Sequence, residues 1–196
     1  MYKPIIRTTE QIGFCFGVKR TVEALYKELE KDPSPIYTFG EIVHNPDVNN
    51  ALRERNVFIE EDISKIPKGS RVFIRTHGLP KETVDILKNS GLTVFDMTCP
   101  RVRLIHNIVS SHSSVIVVGD KNHPEVEGIR GHCPEECFIV KTEEELDAVL
   151  KNLDKPTVMV SQTTFNKKVF DKLAAKAAKN PYITVKDTVC DATSVR

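Results

Sequence analysis

The chain has 196 residues, a formal net charge of +1 and a hydrophobic fraction of 40%. That length accommodates one large domain or two small ones. The near-neutral balance gives no electrostatic case for a nucleic-acid surface, and no apolar run is long enough to span a membrane. Met1-Tyr2-Lys3-Pro4 has no signal-peptide apolar region, so a cytoplasmic, reducing compartment is expected; there the five cysteines read as metal ligands or catalytic groups before disulfides.

Ile5 and Ile6 open a short strand ending near Thr9. Gly13-Phe14-Cys15-Phe16-Gly17 is a glycine-flanked turn, after which Val18, Val22, Leu25, Tyr26 and Leu29 keep helical spacing until Asp32-Pro33-Ser34-Pro35 stops the helix. A strand over 36–39 leads to a loop with Gly40, Glu41 and His44. Asn45-Pro46 reads as an N-cap with proline at the first helical position, and that helix precedes a strand over 57–59. After a connection over 63–69, a strand over 72–75 ends in Thr76-His77-Gly78, and the helix over 81–89 is closed by Gly91. A strand over 92–95 then runs into Asp96-Met97-Thr98-Cys99-Pro100. Pro100 suits the first helical position, which puts Cys99 at the N-cap, where the positive end of the helix dipole favours a thiolate.

The second half repeats the alternation. A buried strand over 115–118 ends in a polar turn in which His123 is the N-cap, Pro124 opens a helix and Glu125 lies in its first turn. A strand over 137–140 is followed by a helix whose Thr142 and Glu145 form a capping box. A strand over 157–160 ends in Ser161-Gln162-Thr163-Thr164, a helix covers 165–179, and a last strand over 182–185 leads to Asp187-Thr188-Val189-Cys190. This pattern predicts an α/β fold of two similar sub-domains with mostly parallel sheets, over 1–98 and 99–186.

Most reactive side chains follow strands: His44, His77, Cys99, His123 with Glu125, Thr163 with Thr164, and Cys190. In open parallel sheets ligands bind beyond the carboxyl ends of the strands. Each residue alone has an ordinary explanation, as a cap or a first-turn acid. Together they predict a pocket where helix N-termini, imidazoles and hydroxyls meet an anion. No P-loop and no Gly-x-Gly-x-x-Gly occurs, so a small phosphorylated or diphosphorylated substrate fits better than a nucleotide.

Cys15, Cys99 and Cys190 each fall at a strand-to-helix junction and lie 84 and 91 positions apart, unlike the close spacings of zinc fingers or bacterial ferredoxins. A metal site assembled between domains is expected, and spacing leaves iron–sulfur and zinc both open. Cys133 and Cys137, with His132 beside them, could form a small zinc site but read as incidental thiols. His106, His112 and His132 fall inside or after helices and read as structural.

The motifs Gly13-Phe14-Cys15-x-Gly17-Val18, Val43-His44-Asn45, Thr76-His77-Gly78, Asp96-x-Thr98-Cys99-Pro100, His123-Pro124-Glu125-Val126-x-Gly128, Ser161-Gln162-Thr163-Thr164 and Asp187-Thr188-x-Cys190-x-Ala192-Thr193 run the length of the chain. In these the chain closely resembles the 4-hydroxy-3-methylbut-2-enyl diphosphate reductase (LytB) family of the methylerythritol phosphate route to isoprenoids. The resemblance implies three α/β domains around a 4Fe-4S cluster held by Cys15, Cys99 and Cys190, with one iron left open. It implies that His44, His77 and His123 bind the substrate diphosphate, that Thr163 lies beside the substrate, and that Glu125 delivers protons to the leaving hydroxyl. It also implies a ferredoxin or flavodoxin electron donor. Relative to that family the chain reads as truncated after the third cysteine, with 187–196 starting a third domain and the residues before Cys15 belonging with it. Two rival readings are a non-catalytic iron–sulfur redox-sensing module and a zinc-stabilised α/β protein.

Overall fold

The computed structural model describes residues 13–43 and 45–191. The strand expected over 5–9, the candidate ligand His44, and Ala192 and Thr193 lie outside the described residues. In chain order the elements are α1 (Phe16–Lys31), β1 (Ile36–Phe39), α2 (Pro46–Arg53), β2 (Val57–Ile59), a 3-10 turn (Ile63–Lys65), β3 (Arg71–Ile74), α3 (Lys81–Asn89) and β4 (Thr93–Asp96). There follow α4 (Pro100–Ser110), β5 (Ser114–Val118), α5 (Pro124–Arg130), β6 (Glu136–Val140), α6 (Glu143–Leu150), β7 (Thr157–Ser161), α7 (Lys167–Ala177) and β8 (Ile183–Val185). The expected α/β architecture is therefore present, with two four-stranded sheets in the orders β2-β1-β3-β4 and β6-β5-β7-β8. Every pairing is parallel. The two sheets share one topology, and in each the chain changes direction of travel between its two central strands, which creates a crevice at their carboxyl ends.

The sequence explains this layering. All five residues of β5, Ser-Val-Ile-Val-Val, are buried, as a strand covered on both faces requires. Val115 and Val117 face Ile105, Val109, Val126 and Ile129 of α4 and α5. Ile116 and Val118 face Leu146 of α6 and Phe170 and Leu173 of α7. Each such side chain contributes about 1.5–3 kcal/mol by leaving water. In the first sheet Ile36 and Phe73 pack with Val22 and Leu25 of α1, while Val72 and Ile74 pack with Leu87 of α3.

Side-chain caps set most helix starts. Asn45 accepts from Asp47 and Val48, and Thr142 and Glu145 complete the predicted capping box. Helix α7 begins two residues later than its pattern suggests because Asn166 is the cap, accepting from Val169 N–H. Residues 163–165 are held elsewhere: Thr163 C=O accepts from Cys190 N–H at 2.7 Å and Phe165 N–H donates to Gln162 C=O at 3.0 Å. Gly91 closes α3 with φ of 73°, the left-handed conformation expected of a C-terminal glycine. The two layers meet where α5 lies on the 77–80 loop. Gly128 passes that loop so closely that a Cβ would sit 3.5 Å from the His77 carbonyl oxygen, and a Cβ at Gly131 would collide with Pro80.

Candidate functional site

A cleft of about 210 Å³ opens between the two sheets at their carboxyl ends, lined by Cys15, Gly17, Val18, Thr76, His77, Cys99, Arg101, Val102, Glu125, Thr163, Thr164 and Cys190. Three cysteines from positions far apart in sequence therefore share one cavity with His77, Glu125 and Thr163. His123 does not line the cleft directly; its ring meets His77 edge-on, with centroids 5.4 Å apart.

The local fold places each cysteine by the same device. Cys15 caps α1 and Cys99 caps α4, and in neither case does the side chain bond to the helix, so both sulfurs are left to face the cavity. Cys99 N–H donates to Thr76 C=O at 2.9 Å in the first sheet, and Cys190 N–H donates to Thr163 C=O at 2.7 Å in the second. Cys99 and Cys190 each come three residues after an aspartate, Asp96 or Asp187, whose carboxylate accepts from a backbone N–H of the same turn, at 3.0 Å from Thr98 and 3.3 Å from Val189. An Asp-x-x-Cys turn thus follows the fourth strand of both sheets. The repeat is visible in sequence, but only the shared strand order makes it meaningful.

Arg20 on α1 ties the first two cysteines together, donating to the carbonyls of both Met97 and Thr98 at 3.0 Å. Gly17, two residues after Cys15, lies so near Cys99 that a Cβ there would be 3.1 Å from its Sγ. Burial pushes the Asp96 carboxyl up, but bonds from the Thr98 hydroxyl and N–H, with Arg103 nearby, outweigh it and hold the group below its ordinary value. Arg20 is a part of the site that chain-order reading did not single out, and Asp96, quoted there only within the Cys99 motif, gains its role from these bonds.

Glu125 lies in the first turn of α5 as expected, yet it is 1% exposed, so the helix dipole is not its main interaction. Its two oxygens accept from Thr163, one from the N–H at 2.5 Å and the other from the hydroxyl at 2.7 Å. Burial raises its pKa, and the two Thr163 bonds oppose that only in part. His123 accepts the Glu125 N–H at Nδ1, 3.1 Å away. That bond leaves Nε2 as the protonated nitrogen of the neutral ring.

His106 and His132 are structural, as their positions suggest, but they also support the site. They stack at 3.9 Å behind Gly78, and His132 Nε2 contacts Leu79 C=O at 3.1 Å. Burial lowers the pKa of His106 to about 3, and the neighbouring His132 adds to the effect. A neutral stacked pair thus backs the loop that carries His77.

The donor set can be compared with the metals it would hold. A single tetrahedral zinc needs ligands about 2.3 Å from one centre. Among the described residues no three His, Cys, Asp or Glu side chains converge so closely. Three sulfurs spread around one cavity instead suit a group of several metal ions with thiolate ligands.

Fold and site together define a class: a parallel α/β protein of two like sheets with a cleft between them lined by three separated cysteines. The LytB protein family model matches residues 6–196, and the chain belongs to that family. It is 40% identical over 198 residues to the 4-hydroxy-3-methylbut-2-enyl diphosphate reductase of Thermoanaerobacter sp. (strain X514), an alignment covering 97% of this chain and 68% of that protein. The fold superposes with a TM-score of 0.84 and 37% identity on a solved (E)-4-hydroxy-3-methyl-but-2-enyl diphosphate reductase, described as the terminal enzyme of the non-mevalonate pathway, covering 94% of this chain and 67% of that one. The corresponding reductase structure from Plasmodium falciparum gives a TM-score of 0.85 at 30% identity, covering 93% of this chain and 59% of that one. Among the described residues no helix is long and apolar enough to cross a membrane.

Proposed function

We propose that this chain carries the cluster-binding and acid-supplying part of a 4-hydroxy-3-methylbut-2-enyl diphosphate reductase. The allylic alcohol takes up two electrons and two protons, the C–O bond breaks, one molecule of water leaves, and isopentenyl and dimethylallyl diphosphates are formed. The observation that carries the reading is the convergence of Cys15, Cys99 and Cys190 on one cleft that Thr163 and the buried Glu125 also line.

Cys15, Cys99 and Cys190 would hold the 4Fe-4S cluster, which when bound supplies the electrons and a Lewis-acidic iron for the substrate oxygen. Hydroxide is a poor leaving group, so a proton must reach the departing oxygen. Glu125, its pKa raised by burial, keeps a proton to higher pH than a solvated glutamate. When protonated it donates to the Thr163 hydroxyl, which then turns its own hydrogen toward the cleft. Glu125 and Thr163 form a two-step proton path from a dry carboxyl to the substrate. His77 and the Nε2–H of His123 offer donors for the diphosphate, and His44 is assigned the same role by motif. A ferredoxin or flavodoxin in the cytoplasm completes the reading as electron donor. A cluster that only sensed redox state would have no use for a buried carboxyl bonded to a cleft hydroxyl.

The test is anaerobic reconstitution with iron and sulfide, followed by iron and sulfide analysis, visible absorption and turnover of the allylic diphosphate with a chemical one-electron reductant. About four irons per chain with release of both products supports the assignment. A stoichiometric zinc content without labile sulfide would overturn it.

A further inference from the structure

Three arginines surround the turn that carries Cys99, and they differ in how their charge is met. Arg101 pairs with Asp191 at 3.2 Å and Arg103 with Asp96 at 3.1 Å, and both arginine side chains are more than half exposed. Arg20 is the third, and it is half-buried. Its guanidinium donates to the Met97 and Thr98 carbonyls, and among the described residues it meets no carboxylate. Its Nε is buried and has no hydrogen-bond partner. A cation withdrawn from water without a carboxylate beside it is costly unless another negative group lies near. Gly17 and Arg20, three residues apart on α1, share a helix face. Gly17 abuts the Cys99 sulfur and Arg20 bonds the residue before Cys99, so the guanidinium lies against the Cys99 turn. It stands behind the cleft rather than in its lining, and so does not touch the proposed substrate.

We propose that Arg20 is the fixed counter-charge of the centre held by Cys15, Cys99 and Cys190 and raises its reduction potential. The inference rests on the cluster reading given above. Uptake of one electron from a one-electron carrier makes a three-thiolate centre one unit more negative, with no bond made and no proton moved. The guanidinium stays protonated in both states, so its attraction for the centre grows on reduction. Burial on the α1 side leaves little water to screen that attraction. Arg101 and Arg103 contribute less, because each carries a carboxylate partner and lies in solvent. The two carbonyl bonds therefore do more than join α1 to the Cys99 turn: they hold a positive charge where electron uptake needs it.

The experiment reconstitutes the parent chain, Arg20→Met and Arg20→Lys anaerobically and measures iron and sulfide per chain. Each is then titrated with dithionite in the presence of redox mediators, with visible absorption as the readout. Arg20→Met is expected to shift the oxidised-to-reduced ratio at a fixed potential by about tenfold or more, a midpoint lower by about 59 mV or more. Arg20→Lys keeps the charge and is expected to stay within about threefold of the parent at pH 7. If Arg20→Met takes up no iron, Arg20→Lys carries the test. Its midpoint should fall below the parent's as pH rises through the lysine range, about 10, where arginine remains charged. The other titrating groups are common to both chains, so the difference reports the residue at position 20. An unchanged or higher midpoint in loaded Arg20→Met, equal falls in the two variants, or a lysine variant that tracks the parent across that pH range would overturn the proposal. A parent chain that takes up no iron and sulfide overturns the cluster reading, and the proposal with it.

Discussion

Replacing Glu125 by Gln separates the proton supply from everything else the site does. Gln has the same shape, its amide oxygen can accept the Thr163 N–H, and its NH2 can donate to the Thr163 hydroxyl, so both contacts seen for Glu125 are kept in number. The variant is expected to fold, with neutral-pH stability within about 1 kcal/mol of the parent, because no buried polar atom is orphaned. What it loses is the transferable proton. General acids contribute about 10²–10⁴-fold, or about 3–5 kcal/mol of transition-state stabilisation, and that is the expected fall in turnover at unchanged cluster content. The assay pairs anaerobic turnover with visible absorption of the cluster. Urea unfolding across pH supplies a second readout. The folded pKa of Glu125 lies above its ordinary 4.5, so its contribution to stability is fully present below 4.5 and is lost as pH rises through the folded value. The Gln variant should therefore gain stability relative to the parent across that rise. Turnover within about tenfold of the parent with the cluster intact, or parallel stability curves, would refute the role assigned to Glu125.

Gly17→Ala should raise intrinsic helix stability by about 0.5–1 kcal/mol while pressing a methyl to 3.1 Å from the Cys99 sulfur; thermal melts of the metal-free chain should hold or rise as iron content after reconstitution falls. Gly78→Ala combines a left-handed backbone, φ 74°, with a Cβ 2.7 Å from His106 Cε1. Strain of about 1 kcal/mol and overpacking of about 1–3 kcal/mol should together lower urea stability by about 2–4 kcal/mol. His106 has a folded pKa near 3 against an ordinary 6.5, so its share of stability is present above 6.5 and is lost as pH falls toward 3. Below 6.5 the parent should lose up to about 1.4 kcal/mol per pH unit more than His106→Phe, measured by denaturant titration at successive pH values.

Periodicity and end signals carried most of the element assignments, because they are local. Proline at the first helical position named Asn45, Cys99 and His123 as caps before any packing was known, and all three are caps. The late start of α7 was not legible, since Thr163 and Phe165 have ordinary helix-entry chemistry until the Cys190 turn and Gln162 engage their backbones. Arg20 escaped notice, and Asp96 was legible only as a motif residue, for a similar reason: an acid in a turn and an arginine on a helix are ordinary until their partners, 2 and 78 residues away, are seen.

Residue order and chemistry were enough to establish the α/β alternation, the reactive side chains after strands and the family motifs. All of these are written within a few residues of one another, at the scale of a helical turn or a strand end. Convergence required tertiary contact. The cysteines at 15, 99 and 190 share a cavity because two sheets of equal topology aim their carboxyl ends at one crevice, because Arg20 ties α1 to the turn before Cys99, and because Gly128 and Gly131 let α5 pack on the 77–80 loop. Glu125 changed meaning for the same reason. In sequence it is a first-turn acid that the helix dipole explains; in the folded chain the second sheet removes it from water and binds it to Thr163, 38 residues away, and that burial is what raises its pKa.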